Sequence, residues 1–176
     1  MEALMSLIHD ASVFAFAAHR AIGQRRKYTG DCYTNHTRAV AQMVSMHGLN
    51  EHAVAAAHLH DVVEDTHIAH EDIYQMFGTR VADLVWHLTD EVTDGANRAT
   101  RKARDRARLA VAPADAQSIK LADLIDNTKS IIRHDRAFAK VYLAEMQMLL
   151  DVLNKGDASL RKLARSVLNN GLEELG

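Results

Sequence analysis

Residues 51–64 read EHAVAAAHLHDVVE, and this stretch decides the fold. Its apolar run, Ala53 to Ala57 with Leu59, Val62 and Val63, is nearly continuous. That pattern predicts a buried, central helix rather than an amphipathic surface one. Asn50 is a suitable N-cap, and the helix is expected to run to about Glu64. It would then carry His60 and Asp61 in its interior. An ionised carboxylate there costs on the order of several kcal/mol unless it is paired or binds a metal. The spacings 60→64 and 61→65 stack His60, Asp61, Glu64 and Asp65 at one end of the helix, on adjoining faces. Carboxylates so close repel one another, and a divalent cation is the simplest relief.

The flanking segments also read as helices. Upstream, Leu4, Ile8, Ala11, Phe14, Ala15, Ala18 and Ile22 keep helical spacing over residues 2–22. The polar stretch Gly23–Tyr33 reads as a loop. A helix from about Asn35 puts Ala39, Val40, Met43, Val44 and His47 on one face, with Gly48 as its stop. Downstream, helices are predicted over 70–77 and 79–89, separated by Gly78, then a polar loop over 89–97. A basic helix follows over 98–110, with Ala99, Ala103, Ala107 and Ala110 expected to face the core. Pro113 suits the first position of a helix reaching about Arg133. Helices near 136–154 and 157–170 complete the chain, with Gly156 and Gly171 as stops. No run alternates with period two, and there is one proline. The expectation is an all-α fold, with residues 1–176 as a single domain.

Composition narrows the class. The chain has 176 residues, 48% hydrophobic and 25% charged, enough for one sizeable core. A net charge of −2 does not advertise nucleic-acid or membrane binding, so an anionic ligand must be met by a local basic cluster. Cys32 is the only cysteine, which rules out an intrachain disulfide and a thiolate zinc site. Residues 1–18 are interrupted by Glu2, His9 and Asp10, so neither a signal peptide nor a membrane span is expected, and the cytoplasm is the default location. Eleven histidines exceed what a helical core usually needs, and they point to chemistry.

Two further acid and imidazole positions stand out. Asp123, in KLADLIDN (120–127), lies in an apolar frame of Ile119, Ala122 and Ile125, with Asn127 one turn later. His36 begins its helix beside Asn35. Two imidazoles and two carboxylates from three helices would suit Mn²⁺, Fe²⁺ or Zn²⁺ better than Mg²⁺ or Ca²⁺. Taken alone, the pair reads by default as a core histidine in His60 and a local cap in Asp61, and Glu64 with Asp65 reads equally as a solvent-facing acidic pair. The basic residues form two clusters, Arg25–Lys27 and the helix carrying Arg98, Arg101, Lys102, Arg104, Arg106 and Arg108. Such runs are commonly solvated faces, although the arginine fork matches phosphate oxygens. Lys129 is a further basic candidate. His58 is expected in the core or beside the site, His67 and His70 at the surface. Trp86 and the methionines 43, 46, 146 and 148 are expected as core filling, and Tyr142 as an ordinary core or surface tyrosine.

Longer landmarks carry a family resemblance. Residues 18–36, AHRAIGQRRKYTGDCYTNH, resemble the N-terminal segment of the RelA/SpoT hydrolase domain, with its Gln-x-Arg-Lys, Gly and Tyr-x-x-His pattern. AHLHDVVEDT (57–66) looks like that family's HD-x-x-ED-T signature. Phe77-Gly78 through Thr89 and Ile119 through Asp123 with Asn127 match two further segments, so the resemblance covers roughly residues 12–135. It implies an HD-type helical bundle and a stand-alone small alarmone hydrolase, which removes the 3′-pyrophosphate of (p)ppGpp-type nucleotides with Mn²⁺. Carried over, His36, His60, Asp61 and Asp123 would be metal ligands. Glu64 and Asp65 would position or activate water, and Asn127 would meet the sugar. Phosphate contacts are expected from Arg26, Lys27, Arg101 and Lys102. The chain departs from the family at Asp31-Cys32, at Thr37 and at Leu124, where the family carries a charge. This last difference leaves (p)ppApp open beside (p)ppGpp. The resemblance implies a cytoplasmic enzyme with a small nucleotide substrate and no nucleic-acid or membrane partner; a homo-oligomer stays open. The alternatives are another HD-type nucleotide phosphohydrolase and a non-catalytic nucleotide-binding module.

Overall fold

The structure, a computed structural model, describes residues 2–90 and 95–176, with side chains from residue 7 onward outside that gap. The side chain of the expected apolar position Leu4 and residues 91–94 of the polar segment 89–97 lie outside what is described. Within them every regular element is helical, and the expected all-α class holds. The one β-type pairing is an isolated antiparallel bridge between Arg25 and Cys32. Contacts group the chain into two units, Met1–Thr89 and Asp90–Gly176.

The first unit contains α1 (Glu2–Ala21), α2 (Thr34–Met46), α3 (Glu51–Leu59), α4 (Val62–Asp65) and α5 (His70–Leu88). Helix α3 is central, packed by α1, α2 and α5. Ala53, Ala55, Ala56, Ala57 and Leu59 have no exposed surface, as the continuous apolar run requires. Asn50 caps α3, its side chain accepting from the Ala53 N–H at 3.1 Å. The helix does not continue to Glu64. It stops at His60, where Nδ1–H donates to the Ala57 carbonyl at 2.9 Å, and Asp61 (φ −101°, ψ −2°) opens the short α4. Gly78, at φ +78°, breaks α5 where a stop was expected, because this left-handed conformation is strained for residues with a Cβ.

The second unit contains α6 (Arg98–Val111), α7 (Ala114–His134), α8 (Arg136–Leu150) and α9 (Ala158–Leu175). Helix α7 packs on α8 and α9 around Ile119, Leu121, Leu143, Met146, Leu153 and Leu160. Asn97, Asp135 and Asp157 cap α6, α8 and α9 by accepting from N–H groups three residues on, at 2.9, 3.0 and 2.8 Å. Pro113 is the N-cap of α7 rather than its first residue, a one-position difference.

Several sequence expectations are corrected here. Helix α6 turns Asp105 and Leu109 inward, while Ala99, Ala103 and Ala107 are exposed, because an ion-pair network anchors its inner face. Trp86 is 49% exposed and Met46 is 76% exposed; neither is core. Met148 is also exposed, Met43 half-buried, and of the four methionines only Met146 is fully buried. Gly171 does not stop a helix. It lies inside α9, where an added Cβ would stand 2.6 Å from Ile132 Cδ1, so it permits close packing. His70 is half-buried, with Nε2–H donating to the Ala82 carbonyl at 2.8 Å.

Candidate metal centre and active site

All three candidate ligand positions in the first unit sit at helix ends. His36 lies in the first turn of α2, and His60 and Asp61 span the break between α3 and α4. Both imidazoles are 2% exposed. Donor atoms of His36, His60 and Asp61 all lie within 4.8 Å of one another. His60 Nε2 is 3.0 Å and His36 Nε2 is 3.6 Å from Asp61 Oδ2. The same carboxylate oxygen accepts from the Tyr33 hydroxyl at 2.6 Å.

The hydrogen bond from His60 Nδ1–H to a carbonyl fixes the tautomer, since a carbonyl only accepts. In the neutral ring the lone pair is then on Nε2, the nitrogen turned to Asp61, which is the orientation of a metal-bound histidine with a backbone partner behind it. Burial works against the Asp61 charge. With the imidazoles protonated, the charge of His60, joined by hydrogen bonds from His36 and His60, nevertheless holds the carboxyl well below the usual range; it is the neutral ring that offers its lone pair to a cation. An ionised carboxylate and two buried imidazoles converging on one another fit a borderline divalent cation.

Glu64 and Asp65, in α4, are both exposed one turn beyond Asp61. Asp65 Oδ2 accepts from Gln24 Nε2–H at 2.7 Å. Gln24 follows the end of α1, and Arg26 and Lys27 come next in a folded loop. There Arg26 N–H donates to the Asp31 carbonyl at 2.9 Å and the Lys27 ammonium lies 4.9 Å from the centre of the Tyr28 ring. Sequence reasoning passed over Tyr33, Gln24 and His19. All three stand in the segment 18–36 that carries the resemblance, and Gln24 and Tyr33 are the Gln and the Tyr of its pattern, which was the available signal.

In the second unit, Asp123 is 6% exposed on α7. Its oxygens are held separately: Lys120 Nζ donates to Oδ2 at 2.8 Å and Asn127 Nδ2 to Oδ1 at 2.6 Å. Asp123 and Asn127 line a cavity of about 180 Å³ together with Lys102, Arg106, Phe138 and Tyr142. Leu124, buried, also lines it. Lys102 is engaged within the unit, at 2.5 Å from Asp90 Oδ2 and 3.2 Å from Asp105 Oδ2. Burial pushes the Asp105 carboxyl up, aided by the charge of Asp90. Asp90 is lowered despite its own burial, by Lys120 and Lys102. Arg101 does not line the cavity; it is exposed and donates to the Ala96 carbonyl at 2.9 Å. Arg98 forms a two-pronged pair with Glu145, at 2.7 and 2.8 Å, and lies 5.1 Å from the centre of the Phe138 ring.

Known proteins resemble this chain over most of its length. In Oryza sativa subsp. japonica, the probable GTP diphosphokinase RSH2, chloroplastic, is 35% identical over 136 residues, which cover 71% of this chain but 19% of that protein. The Drosophila melanogaster guanosine-3′,5′-bis(diphosphate) 3′-pyrophosphohydrolase MESH1 is 35% identical over 119 residues, 66% of this chain and 65% of that protein. A solved structure described as a metazoan ortholog of SpoT that hydrolyzes ppGpp superposes with a TM-score of 0.84 at 28% identity, covering 94% of this chain and 95% of that one. The chain thus spans about a fifth of the rice relative. The family model described as HD domain matches residues 11–149. A match that begins in α1 and ends in α8 takes in both units and every candidate ligand from His36 to Asp123, and the chain belongs to the HD domain family.

Proposed function

We propose that this chain hydrolyses the 3′-pyrophosphate of alarmone nucleotides, (p)ppGpp or (p)ppApp, releasing pyrophosphate. The observation that carries the proposal is the convergence of His36, His60 and Asp61 with exposed carboxylates one turn away, in a chain of the HD family. The similarity to proteins named for hydrolysing ppGpp supports the substrate class. We take residues 1–176 as one phosphohydrolase domain and Asp123 as the fourth ligand, by resemblance. Mn²⁺ as the metal and the cytoplasm as the location rest on the same ground.

A bound divalent cation supplies polarisation of a phosphoryl oxygen and a lowered pKa for water. Tyr33 and the Ala57 carbonyl hold Asp61 and His60 in the ligating geometry. Glu64 and Asp65, exposed and acceptor-only when ionised, orient the attacking water and take its proton. Arg26 and Lys27 in the loop, with Lys102 and Arg101 on α6, meet the phosphates, and Asn127 meets the sugar. Leu124 in the cavity wall offers no charge to a base, which is why either purine is retained.

The test incubates the purified protein with Mn²⁺ and equal amounts of ppGpp and ppApp, with ATP, GTP and AMP as controls. Products are followed by anion-exchange chromatography. Pyrophosphate release from either alarmone, abolished by chelator, supports the proposal and names the base. Cleavage of a control nucleotide with both alarmones intact makes this another HD-type phosphohydrolase. No turnover of any of them makes it a non-catalytic module.

A further inference from the structure

The end of α1 builds a hydrogen-bonded chain that the proposed chemistry does not yet use. Gly23, at φ +66°, closes the helix: its N–H donates to the Arg20 carbonyl and the Gln24 N–H donates to the His19 carbonyl, both at 3.0 Å. This six-to-one and five-to-two closure sets the Gln24 side chain beside that of His19. His19 is 1% exposed, and its Nδ1 lies 2.6 Å from Gln24 Oε1. The other end of the same amide, Nε2, lies 2.7 Å from Asp65 Oδ2, forty-one residues further on.

The donors and acceptors have one consistent order. An ionised Asp65 can only accept, so the NH₂ of Gln24 faces it and the amide oxygen faces His19. That oxygen can only accept in turn, so His19 carries its proton on Nδ1. Its Nε2 is buried and has no hydrogen-bond partner among the described residues. A purely stabilising role would be served better by an apolar side chain, which leaves no buried nitrogen unsatisfied. The ring is packed against Tyr33, with centroids 4.8 Å apart, and Tyr33 donates to Asp61. Asp65 itself is exposed, and the bond from Gln24 engages its Oδ2.

We propose that His19 and Gln24 are positioning residues that hold the Asp65 carboxylate, through Oδ2, with Oδ1 presented to the attacking water. The proposal rests on the role given to Asp65 above. It predicts that the pair governs turnover and leaves both metal binding and substrate affinity nearly unchanged.

The experiment compares Gln24→Met, His19→Asn, His19→Gln and Asp65→Asn with the parent protein. It measures kcat and KM for the cleaved alarmone, Mn²⁺ affinity by calorimetry, and the His19 tautomer by nitrogen-detected NMR. An Asn amide nitrogen falls near the place of Nδ1, a Gln amide nitrogen near that of Nε2. Expected are a loss of about tenfold in kcat for Gln24→Met and His19→Gln, KM and metal affinity within about twofold, and rescue by His19→Asn. Gln24→Met combined with Asp65→Asn should be no slower than Asp65→Asn alone. The parent should show the proton on Nδ1.

A proton on Nε2 overturns the positioning proposal. So does parent-like turnover in Gln24→Met, or equal loss in His19→Asn and His19→Gln, while Asp65 keeps its role if Asp65→Asn is slow. Parent-like turnover in Asp65→Asn instead removes the role of Asp65 itself, and the positioning proposal with it.

Discussion

Two groups of shielded aspartates in this chain are neutralised in different ways. In the first unit, Asp61 is met by a tyrosine hydroxyl and two imidazoles. In the second, Asp90 and Asp105 share Lys102, and Asp123 is bonded to Lys120. A lysine near neutral pH is a permanent cation, so the second set is balanced by the protein itself. An imidazole can give up its proton and offer a lone pair, so the first set is suited to receive a cation. Different partners separate a candidate ligand site from an ion-pair brace.

That contrast can be broken most forcefully at Asp61. Asp61→Ala is expected to abolish metal binding in calorimetry and to leave no measurable turnover, while folding persists because no permanent cation is stranded. Metal still bound by that variant, or unfolding well below the parent's urea midpoint, would reverse the contrast. Next comes Glu64→Ala, which should keep the metal and lose about a thousandfold in kcat, in the range of a missing general base. Near-parent turnover would remove Glu64 from the chemistry.

The third expectation concerns pH. His58 is 8% exposed, and burial, with the charges of Arg38 and His60, lowers its pKa from 6.5 to about 4. The folded state then refuses a proton that the unfolded chain accepts. Stability is therefore complete above 6.5 and lost as pH falls to about 4, by up to roughly 3 kcal/mol. Urea titrations across that window should show the loss, and His58→Gln should flatten it. The smallest effect is assigned to Lys102→Met, which strands Asp90 and Asp105. A loss of about 1–2 kcal/mol in urea unfolding is expected, moderated because the lysine is partly solvated. No loss would mean that the brace in the second unit contributes nothing.

How much of this was legible beforehand depends on the range of the interaction. Helices α1, α2 and α7 follow from spacing within a few turns, and the caps at Asn50 and the break at Gly78 follow from one residue's backbone preference. The inward-facing Asp123 was legible from its apolar frame. The alanines of α6 were misplaced because periodicity names a face without naming its partner, and here the partner is a network of Asp90, Lys102 and Asp105.

By itself, then, the sequence determined an all-helical chain, the central place of residues 53–59, and the set of residue types able to hold a divalent cation. Each of these is local: a period, a cap, or an ionisable group in an apolar run. Tertiary structure alone decided that α3 ends at His60, that Tyr33 reaches Asp61 from twenty-eight residues away, and that Gln24 joins His19 to Asp65 across forty-one. Hydrogen bonds of that reach depend on where packed helices bring chain ends together, and no spacing along the chain encodes that distance.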